Sequence, residues 1–119
     1  MARILLVDDH PEMRQVLTHM LKRHGHEVIP RESGEAAIEF LAKEIPDATI
    51  VDDRMPGLSG LELVRQVRQD ERLAGMVVIV CSADSESAAP AREAGADGFW
   101  LKGSDDVFGL IERLTGKLP

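Results

Sequence analysis

The sequence predicts an α/β fold, an open doubly wound sheet of five parallel strands with helices on both faces. Five short apolar runs alternate along the chain with five segments whose apolar residues recur every three or four positions. The apolar runs show little polar alternation, which is typical of strands covered on both sides. Short connections between alternating strands and helices require right-handed crossovers, and these place helices on both faces of the sheet.

The length and composition are those of one globular domain. The 119 residues are 44% hydrophobic and 29% charged, and no repeat, low-complexity segment or internal linker divides them. We therefore expect a single domain over residues 1–119, in which residues 116–119 are the start of a linker or a frayed end.

The charge and the apolar content exclude several classes of function. A net charge of −7 argues against direct binding to nucleic acid or to an anionic membrane surface. No apolar stretch approaches the ~20 residues that a membrane span requires. The single cysteine, Cys81, excludes an intrachain disulfide and suits a reducing compartment. We therefore expect a cytoplasmic protein.

The first half of the chain contains three predicted strands and two predicted helices. Its strands are Ile4–Val7, Glu27–Pro30 and Ala48–Val51. Pro11 opens the first helix, because a first-turn N–H needs no helical partner, and Gly25 ends it. The predicted apolar stripe of this helix consists of Met13, Val16, Leu17, Met20 and Leu21. Ser33 caps the second helix, and the predicted buried face of that helix carries Ala36, Ala37, Phe40 and Leu41.

The second half continues the same alternation. Its predicted strands are Met76–Cys81 and Gly98–Leu101. The third helix begins near Ser59, and we expect Arg68 to point away from its apolar side. Pro90 removes a backbone donor and should shorten or offset the fourth helix. Ser104 is the predicted cap of the last helix. The predicted apolar positions of the third and fifth helices are Leu61, Val64, Val67, Val107, Leu110, Ile111 and Leu114.

Polar side chains follow four of the predicted strands. Asp8 and Asp9 follow the first strand, Asp52 the third, Ser82 the fourth and Lys102 the fifth. Each alone is explained equally well as a cap, a turn residue or a solvated side chain. The carboxyl ends of parallel strands meet along one edge, however, so these residues should converge there. Three carboxylates in one pocket need a cation, and oxygen ligands favour Mg²⁺, with Mn²⁺ as an alternative.

The same residues define a reaction class. A carboxylate such as Asp52 can act as a nucleophile and form an acyl phosphate. A divalent cation, the Lys102 ammonium and the Ser82 hydroxyl can hold the oxygens of the incoming group. The sequence therefore predicts phosphoryl transfer to a carboxylate. The histidines His19, His24 and His26 are too irregularly spaced to form a metal motif.

Four ordered segments carry a resemblance to a known family. They are ILLVDDHPEMR, DATIVDDRMPGLSGLEL, VVIVCSA and AGADGFWLK. In this order and spacing they resemble the receiver domain of bacterial response regulators, the phosphorylated part of two-component signalling, and in particular its chemotaxis-regulator type. The resemblance covers nearly the whole chain and implies a flavodoxin-like fold with strand order 2-1-3-4-5.

The resemblance also implies a set of site residues. Asp52 would accept a phosphoryl group from a histidine kinase, a phosphotransfer protein or a small phosphodonor. Asp9, Asp52 and the backbone carbonyl of Arg54 would ligate Mg²⁺, while Asp8 would act on the ion largely through water. Asp53 is a rival acceptor on chemistry alone, but the D-x-R-M-P-G pattern fixes the register on Asp52, and strand alternation turns Asp53 away.

Further residues match the positions that switch and tune such domains. Ser82 and Phe99 would be the switch pair, and Lys102 the lysine that contacts the phosphoryl group. Arg54 and Asp84 lie two residues beyond Asp52 and Ser82, where similar domains tune hydrolysis of the acyl phosphate. We expect these two residues to form an ion pair across the mouth of the site.

The chain departs from the family pattern at three positions. Gly103 follows the lysine where most receivers have proline, so we expect a trans peptide bond or a looser loop there. Pro90 lies in a fourth segment that is shorter than usual, and Phe99 replaces the commoner tyrosine. The surface built from helix four, strand five and helix five is the one that these departures affect.

The resemblance implies partners, and the residues leave other functions open. A receiver would act with a histidine kinase or phosphotransfer protein and with a downstream effector domain or protein, and phosphorylation would promote a homodimer. The alternatives are an aspartyl-nucleophile phosphatase of the haloacid dehalogenase type, a flavin- or nucleotide-binding module, and a degenerate receiver that is never phosphorylated. The sequence has neither the D-x-D pattern nor the cap that such a phosphatase requires, and it has no glycine-rich phosphate loop for a flavin or nucleotide. The complete set of site residues argues against a degenerate receiver.

Overall fold

The computed structural model describes residues 2–103 and 106–118, in which five parallel strands alternate with five α-helices. The strands β1 to β5 are Arg3–Val7, Glu27–Arg31, Ala48–Asp52, Val77–Ser82 and Gly98–Leu101. The helices α1 to α5 are Pro11–Arg23, Gly34–Leu41, Gly60–Gln69, Ala88–Ala94 and Val107–Lys117. The strand order is β2-β1-β3-β4-β5, with every pairing parallel. The predicted fold class and strand order are confirmed.

The sheet is covered on both faces, as its apolar strands predicted. Helices α1 and α5 pack on one face, where the buried side chains include Leu17, Leu21, Leu110, Ile111 and Leu114. Helices α2, α3 and α4 pack on the other, where the buried side chains include Ala37, Phe40, Leu41, Leu63, Val64, Val67 and Ala91. Successive strand residues point alternately into these two cores, so almost every side chain of β1, β3 and β4 is buried, whereas the edge strands β2 and β5 are more exposed.

Two predictions about helix faces are wrong. Val16 belongs to the apolar stripe of α1 but is 52% exposed, because it lines an open pocket beyond the edge of the sheet. Arg68 was expected to point away from the apolar side of α3. Its guanidinium instead donates to the carbonyl oxygens of Gly95 and Met76 at 2.8 and 2.7 Å and pairs with Asp97 at 2.8 Å. These contacts join the end of α3 to the loops that precede β4 and β5.

The helix boundaries follow from local chemistry. Pro11 is the first residue of α1, and Gly25 lies just beyond its end with φ +86°. The predicted caps Ser33 and Ser59 are confirmed, since their hydroxyl oxygens accept hydrogen bonds from the backbone N–H groups of Ala36 and Glu62.

The last two helices differ from a regular pattern in ways that the sequence partly indicates. Helix α4 has seven residues and follows a 3₁₀ turn, Ser85–Ser87, and Pro90 lies in its first turn, where its missing N–H costs no helical bond. The predicted cap Ser104 lies outside the described residues, and the carboxylate of Asp106 caps α5. Helix α5 extends to Lys117 and so includes part of the segment where a linker was expected to begin.

One further property concerns membranes. None of the helices in residues 2–103 and 106–118 is both long enough and apolar enough to cross a bilayer.

Candidate functional site

The parallel register brings the polar strand ends together at one edge of the sheet. Val7 pairs with Val51, so Asp8 directly after β1 lies beside Asp52, the last residue of β3. Asp52 pairs with Cys81, and Ser82 pairs with Leu101, so Ser82 and Lys102 follow on the next two strands. The convergence that the sequence predicted is therefore present.

Lys102 connects the carboxylates of the first and third strands. Its ammonium nitrogen lies 3.0 Å from Asp52 Oδ1 and 3.3 Å from Asp8 Oδ2. Both aspartates are buried, and the side chain of Lys102 is itself largely covered. A single ammonium group thus faces a concentration of negative charge that it cannot fully neutralise.

The electrostatics of Asp52 reflect this imbalance. Burial raises the pKa of the Asp52 carboxyl above its ordinary value, and the hydrogen bond and charge of Lys102 offset the rise only in part. For Lys102, burial acts to lower the pKa, but the hydrogen bond that its ammonium donates to Asp52 and the charges of Asp52 and Asp8 outweigh burial, so the pKa is raised. At neutral pH the Lys102 ammonium stays charged, and ionisation of Asp52 costs the folded protein free energy.

The acidic residues and one imidazole form a group with the dimensions of a cation site. One ligand atom from each of Asp8, Asp9, His10 and Asp52 lies within 4.8 Å of the others. Donors on opposite sides of a bound Mg²⁺ are about 4.2 Å apart, so the group fits a small divalent ion after slight contraction. The buried Asp9 Oδ1 accepts no hydrogen bond from any described residue. A buried carboxylate oxygen without a hydrogen-bond partner has lone pairs available to bind a cation at this point.

The loop after Asp52 depends on a close approach of α3. Gly60 begins that helix, and its N–H donates to the carbonyl oxygen of Asp53 at 3.0 Å. A Cβ at this position would clash with the backbone carbonyl of Asp52 and lie 2.9 Å from the Cα of Asp53. Glycine therefore allows the helix to close against the end of β3, which fixes the position of Asp52.

Asp53 lies apart from the acidic group, although it is adjacent in sequence to Asp52. Its Oδ2 accepts a hydrogen bond of 2.6 Å from the hydroxyl of Ser87 at the start of α4, and both residues are buried. The side chain thus ties the end of β3 to α4. This arrangement agrees with the expectation that strand alternation turns Asp53 away from the other carboxylates.

The predicted tuning residues form a contact at the mouth of the site. Arg54 Nη2 lies 2.9 Å from Asp84 Oδ2, as the sequence led us to expect. The other carboxylate oxygen of Asp84 accepts a hydrogen bond from the N–H of Glu86, which holds it in place. Arg54 is mostly exposed, and such a pair contributes little to stability.

An open pocket of about 610 Å³ lies above the acidic group and contains several of the predicted residues. Its lining includes Asp52, Arg54, Ser82, Asp84 and Lys102. The hydroxyl oxygen of buried Ser82 accepts a hydrogen bond of 3.0 Å from the N–H of Asp84. The pocket therefore presents a carboxylate, an ammonium and a hydroxyl to one small volume.

Phe99 does not line this pocket. It lies on β5 beside Val80 and packs, partly buried, against the core under α2, α3 and α4. It also lines a separate surface depression with Ala88 and Arg92 of α4. The structure therefore places Phe99 on the sheet face that α2, α3 and α4 cover, on the strand next to that of Ser82.

The turn after Lys102 explains the departure at Gly103. Gly103 has φ +82°, a conformation that proline cannot adopt, and none of the described peptide bonds is cis. The expectation of a trans bond at this position is confirmed.

Two site residues were missed by the sequence reasoning. His10 belongs to the cation-site group, and its position directly after Asp8 and Asp9 was a signal that could have found it. Ser87 contacts Asp53 from 34 positions away, and no local pattern indicates that contact. Cys81 lies next to the site in sequence, but burial raises the pKa of its thiol far above the ordinary value, so it stays protonated.

Comparisons with known proteins agree with this geometry. The family model described as the response regulator receiver domain matches residues 4–113. Protein PilH of Pseudomonas aeruginosa is 41% identical over 88 residues, which are 73% of each chain. The sensory/regulatory protein RpfC of Xanthomonas campestris is 38% identical over 104 residues, and the match spans 84% of this chain but only 14% of RpfC.

A solved structure matches the whole fold. It is the response regulator TrrA from Thermotoga maritima in complex with Mg²⁺-BeF, with a TM-score of 0.90 and 33% identity. The match covers 99% of this chain and 100% of TrrA.

Proposed function

Because this chain belongs to the response regulator receiver family, we propose that Asp52 is the residue that accepts a phosphoryl group, in a Mg²⁺-dependent reaction. The domain is a signalling phosphoacceptor with an acidic pocket, rather than an enzyme that turns over other substrates. The observation that carries the proposal is the position of Asp52. Among the described carboxylates of the cation-site group, it is the one that also lines the open pocket with Ser82 and Lys102.

The proposed reaction transfers one phosphoryl group to a carboxylate oxygen. An Asp52 oxygen attacks phosphorus, and the bond from phosphorus to the imidazole nitrogen of a phosphohistidine, or to the oxygen of an acyl phosphate, breaks. The leaving group keeps the bonding electron pair and is protonated as needed. Asp52 then carries an acyl phosphate, which water hydrolyses to restore the carboxylate and release inorganic phosphate.

We assign roles to the neighbouring residues from their positions. Asp9, Asp52 and the Arg54 carbonyl would hold the cation and Asp8 would act through water. A bound Mg²⁺ would neutralise phosphoryl oxygens during transfer. The Lys102 ammonium lies 3.0 Å from Asp52 Oδ1. Once Asp52 carries the phosphoryl group, the ammonium could move from the carboxylate to a nearby phosphoryl oxygen.

The remaining oxygen contact would come from the Ser82 hydroxyl. In the described structure this hydroxyl accepts a hydrogen bond from the Asp84 N–H, and it is free to donate its own proton to a phosphoryl oxygen. We propose that this new bond draws the loop after β4 toward Asp52 and lets Phe99 reorient. The surface near β4 and β5 would then differ between the two states.

Receiver domains act with histidine kinases and output domains. For this chain we propose a histidine kinase or phosphotransfer protein as donor and an effector domain or protein as target, with a homodimer as a further consequence of phosphorylation. The net charge of −7 supports our expectation that this domain does not itself bind nucleic acid. We also propose that residues 1–119 act as one domain in the cytoplasm, where the free thiol of buried Cys81 would stay reduced.

Phosphorylation with a small donor tests the acceptor assignment. The protein is incubated with acetyl phosphate and Mg²⁺, and its intact mass is recorded for wild type, Asp52→Asn and Asp53→Asn. One phosphoryl adduct on wild type and Asp53→Asn, absent from Asp52→Asn and after chelation of Mg²⁺, is the expected result. An adduct that persists in Asp52→Asn would overturn the assignment.

A further inference from the structure

We propose that His10 is an additional ligand of the divalent cation, so that the site binds Mn²⁺ or Co²⁺ more tightly than Mg²⁺. The inference deepens the proposed function, because it concerns the ion held by the same acidic group. It departs from an all-oxygen site, the kind that Asp9, Asp52 and the Arg54 carbonyl would form by themselves.

The ring nitrogen of His10 already lies at ligand spacing from the carboxylates. Nδ1 is 3.2 Å from Asp9 Oδ1, 3.3 Å from Asp8 Oδ1 and 4.0 Å from Asp52 Oδ2. Neighbouring donors around an ion with bonds of about 2.1 Å are about 3.0 Å apart, and opposite donors about 4.2 Å apart. All three distances fall near one of these values, so Nδ1 has the spacing from the carboxylates that is expected of an additional ligand of one ion.

The backbone of His10 is held in place independently of any ion. Its N–H donates to Asp8 Oδ1 at 2.9 Å, and its carbonyl oxygen accepts the hydrogen bond from the N–H of Arg14 in the first turn of α1. The side chain is 67% exposed, so the ring can adjust by a few tenths of an ångström without repacking the core. The residue thus combines a fixed attachment point with a mobile ring.

The unpartnered oxygen of Asp9 independently points to an ion beside His10. Asp9 Oδ1 is buried, accepts no hydrogen bond among the described residues, and is the carboxylate oxygen closest to Nδ1 of His10. With its proton on Nδ1 the ring can donate to Asp8 Oδ1 at 3.3 Å, and with its proton on Nε2 it offers only a lone pair at Nδ1. Asp9 Oδ1 remains without a hydrogen-bond partner among the described residues. A cation between Nδ1 and Asp9 Oδ1 satisfies both.

An imidazole nitrogen changes which ion the site prefers. Mg²⁺ favours oxygen donors and releases its bound water reluctantly. Mn²⁺ and Co²⁺ bind imidazole readily, and Co²⁺ binds nitrogen ligands more tightly than Mn²⁺ does. Loss of the imidazole should therefore weaken Mn²⁺ and Co²⁺ binding while leaving Mg²⁺ nearly unchanged.

Calorimetric titration of the metal-free protein tests this preference. Mg²⁺, Mn²⁺ and Co²⁺ are titrated at about pH 8, where an ordinary histidine is neutral, into wild type, His10→Ala and His19→Ala. His19 is an exposed histidine of α1 outside the cation-site group and serves as the matched control. We expect His10→Ala to weaken Mn²⁺ and Co²⁺ binding at least about tenfold, since loss of groups that only orient a ligand costs roughly 10- to 100-fold.

A spectroscopic measurement separates direct ligation from an indirect effect. Electron spin echo modulation of bound Mn²⁺ reports directly coordinated nitrogen, and we expect a ¹⁴N signal in wild type and His19→Ala that is absent in His10→Ala. No ¹⁴N signal in wild type, or equal affinities in all three proteins, would overturn the inference.

The opposite outcome would assign His10 a different role. If His10→Ala binds all three ions more tightly, the imidazole competes with the cation and the inference is wrong. Either failure leaves the proposed function standing as long as Mg²⁺ binds and Asp52 is phosphorylated. Absence of any divalent binding in wild type would instead contradict the proposed function itself.

Discussion

Replacing Asp52 with asparagine should stabilise the protein when no divalent cation is present and remove most of the stabilisation that Mg²⁺ gives. Asp52 is only 5% exposed and lies among other carboxylates, with Lys102 as its cationic neighbour. Asparagine keeps the shape and can still accept a hydrogen bond from Lys102, but it removes one negative charge. The direction agrees with the raised pKa of the Asp52 carboxyl, which means that ionising it costs the folded state free energy.

The magnitude follows from the distances. At an effective dielectric constant of about 20, repulsion of Asp52 by Asp8 and by Asp9 across at most 4.8 Å amounts to about 3.5 kcal/mol for each. Attraction to the Lys102 ammonium at 3.0 Å returns about 5.5 kcal/mol. The balance is a net cost of about 1.5 kcal/mol for ionised Asp52, or roughly 6 °C in melting temperature for a chain of this length.

Urea unfolding in EDTA and in Mg²⁺ measures both parts of the prediction. In EDTA, Asp52→Asn should unfold at higher urea than wild type. Mg²⁺ at about ten times its dissociation constant should add about 1.4 kcal/mol to wild type and much less to the variant. Asp53→Asn is the matched control. Its amide oxygen can still accept the hydrogen bond from buried Ser87, but a neutral acceptor binds more weakly than a carboxylate, so stability should fall by about 1 kcal/mol. If Asp52→Asn is less stable than wild type in EDTA, the charge balance derived from the structure is wrong.

Three further predictions concern single residues. Gly60→Ala should lower the free energy of unfolding by about 1–3 kcal/mol and slow phosphorylation, because its Cβ would clash with the acceptor loop. Gly75→Ala has open space around the new Cβ and should change the free energy of unfolding by less than about 0.5 kcal/mol. Equal urea midpoints for these two variants would contradict the prediction. Burial lowers the pKa of His26, so on acidification the unfolded state binds this proton before the folded state does. Wild type should therefore lose stability relative to His26→Asn as the pH falls below 6.5. Melting temperatures of the two proteins that fall in parallel from pH 8 downward would refute the prediction. We expect the Arg54–Asp84 ion pair at the mouth of the site to hinder the approach of water to the acyl phosphate. Arg54→Ala should therefore speed loss of phosphate, but by no more than about fivefold, because an exposed pair is worth at most about 1 kcal/mol. An unchanged decay rate, measured by intact mass, would contradict this role.

The residues of the site could be predicted from sequence where strand order alone decides their position. Asp8, Asp52 and Lys102 follow apolar runs, and a parallel sheet brings the ends of such runs to one edge whatever the details of packing. The helix caps Ser33 and Ser59 were predictable for a similar reason, since a cap depends on three or four neighbouring residues.

The remaining features depend on contacts that no local pattern encodes. Val16 follows the periodicity of a buried residue, but it lines the open pocket and remains exposed. Arg68 is charged and was assigned to the polar side of α3, yet carbonyl groups from two distant loops converge on its guanidinium. The Asp53–Ser87 hydrogen bond joins residues 34 positions apart and requires the packed structure to be known.

Locating the phosphoryl group within the chain tests the central claim most directly. Protein phosphorylated with acetyl phosphate and Mg²⁺ is treated with borohydride, which reduces an aspartyl phosphate to homoserine, and its peptides are then sequenced by mass spectrometry. We predict homoserine at position 52 alone, and none in protein kept in EDTA. Homoserine at position 53, or at any other aspartate, would contradict the account.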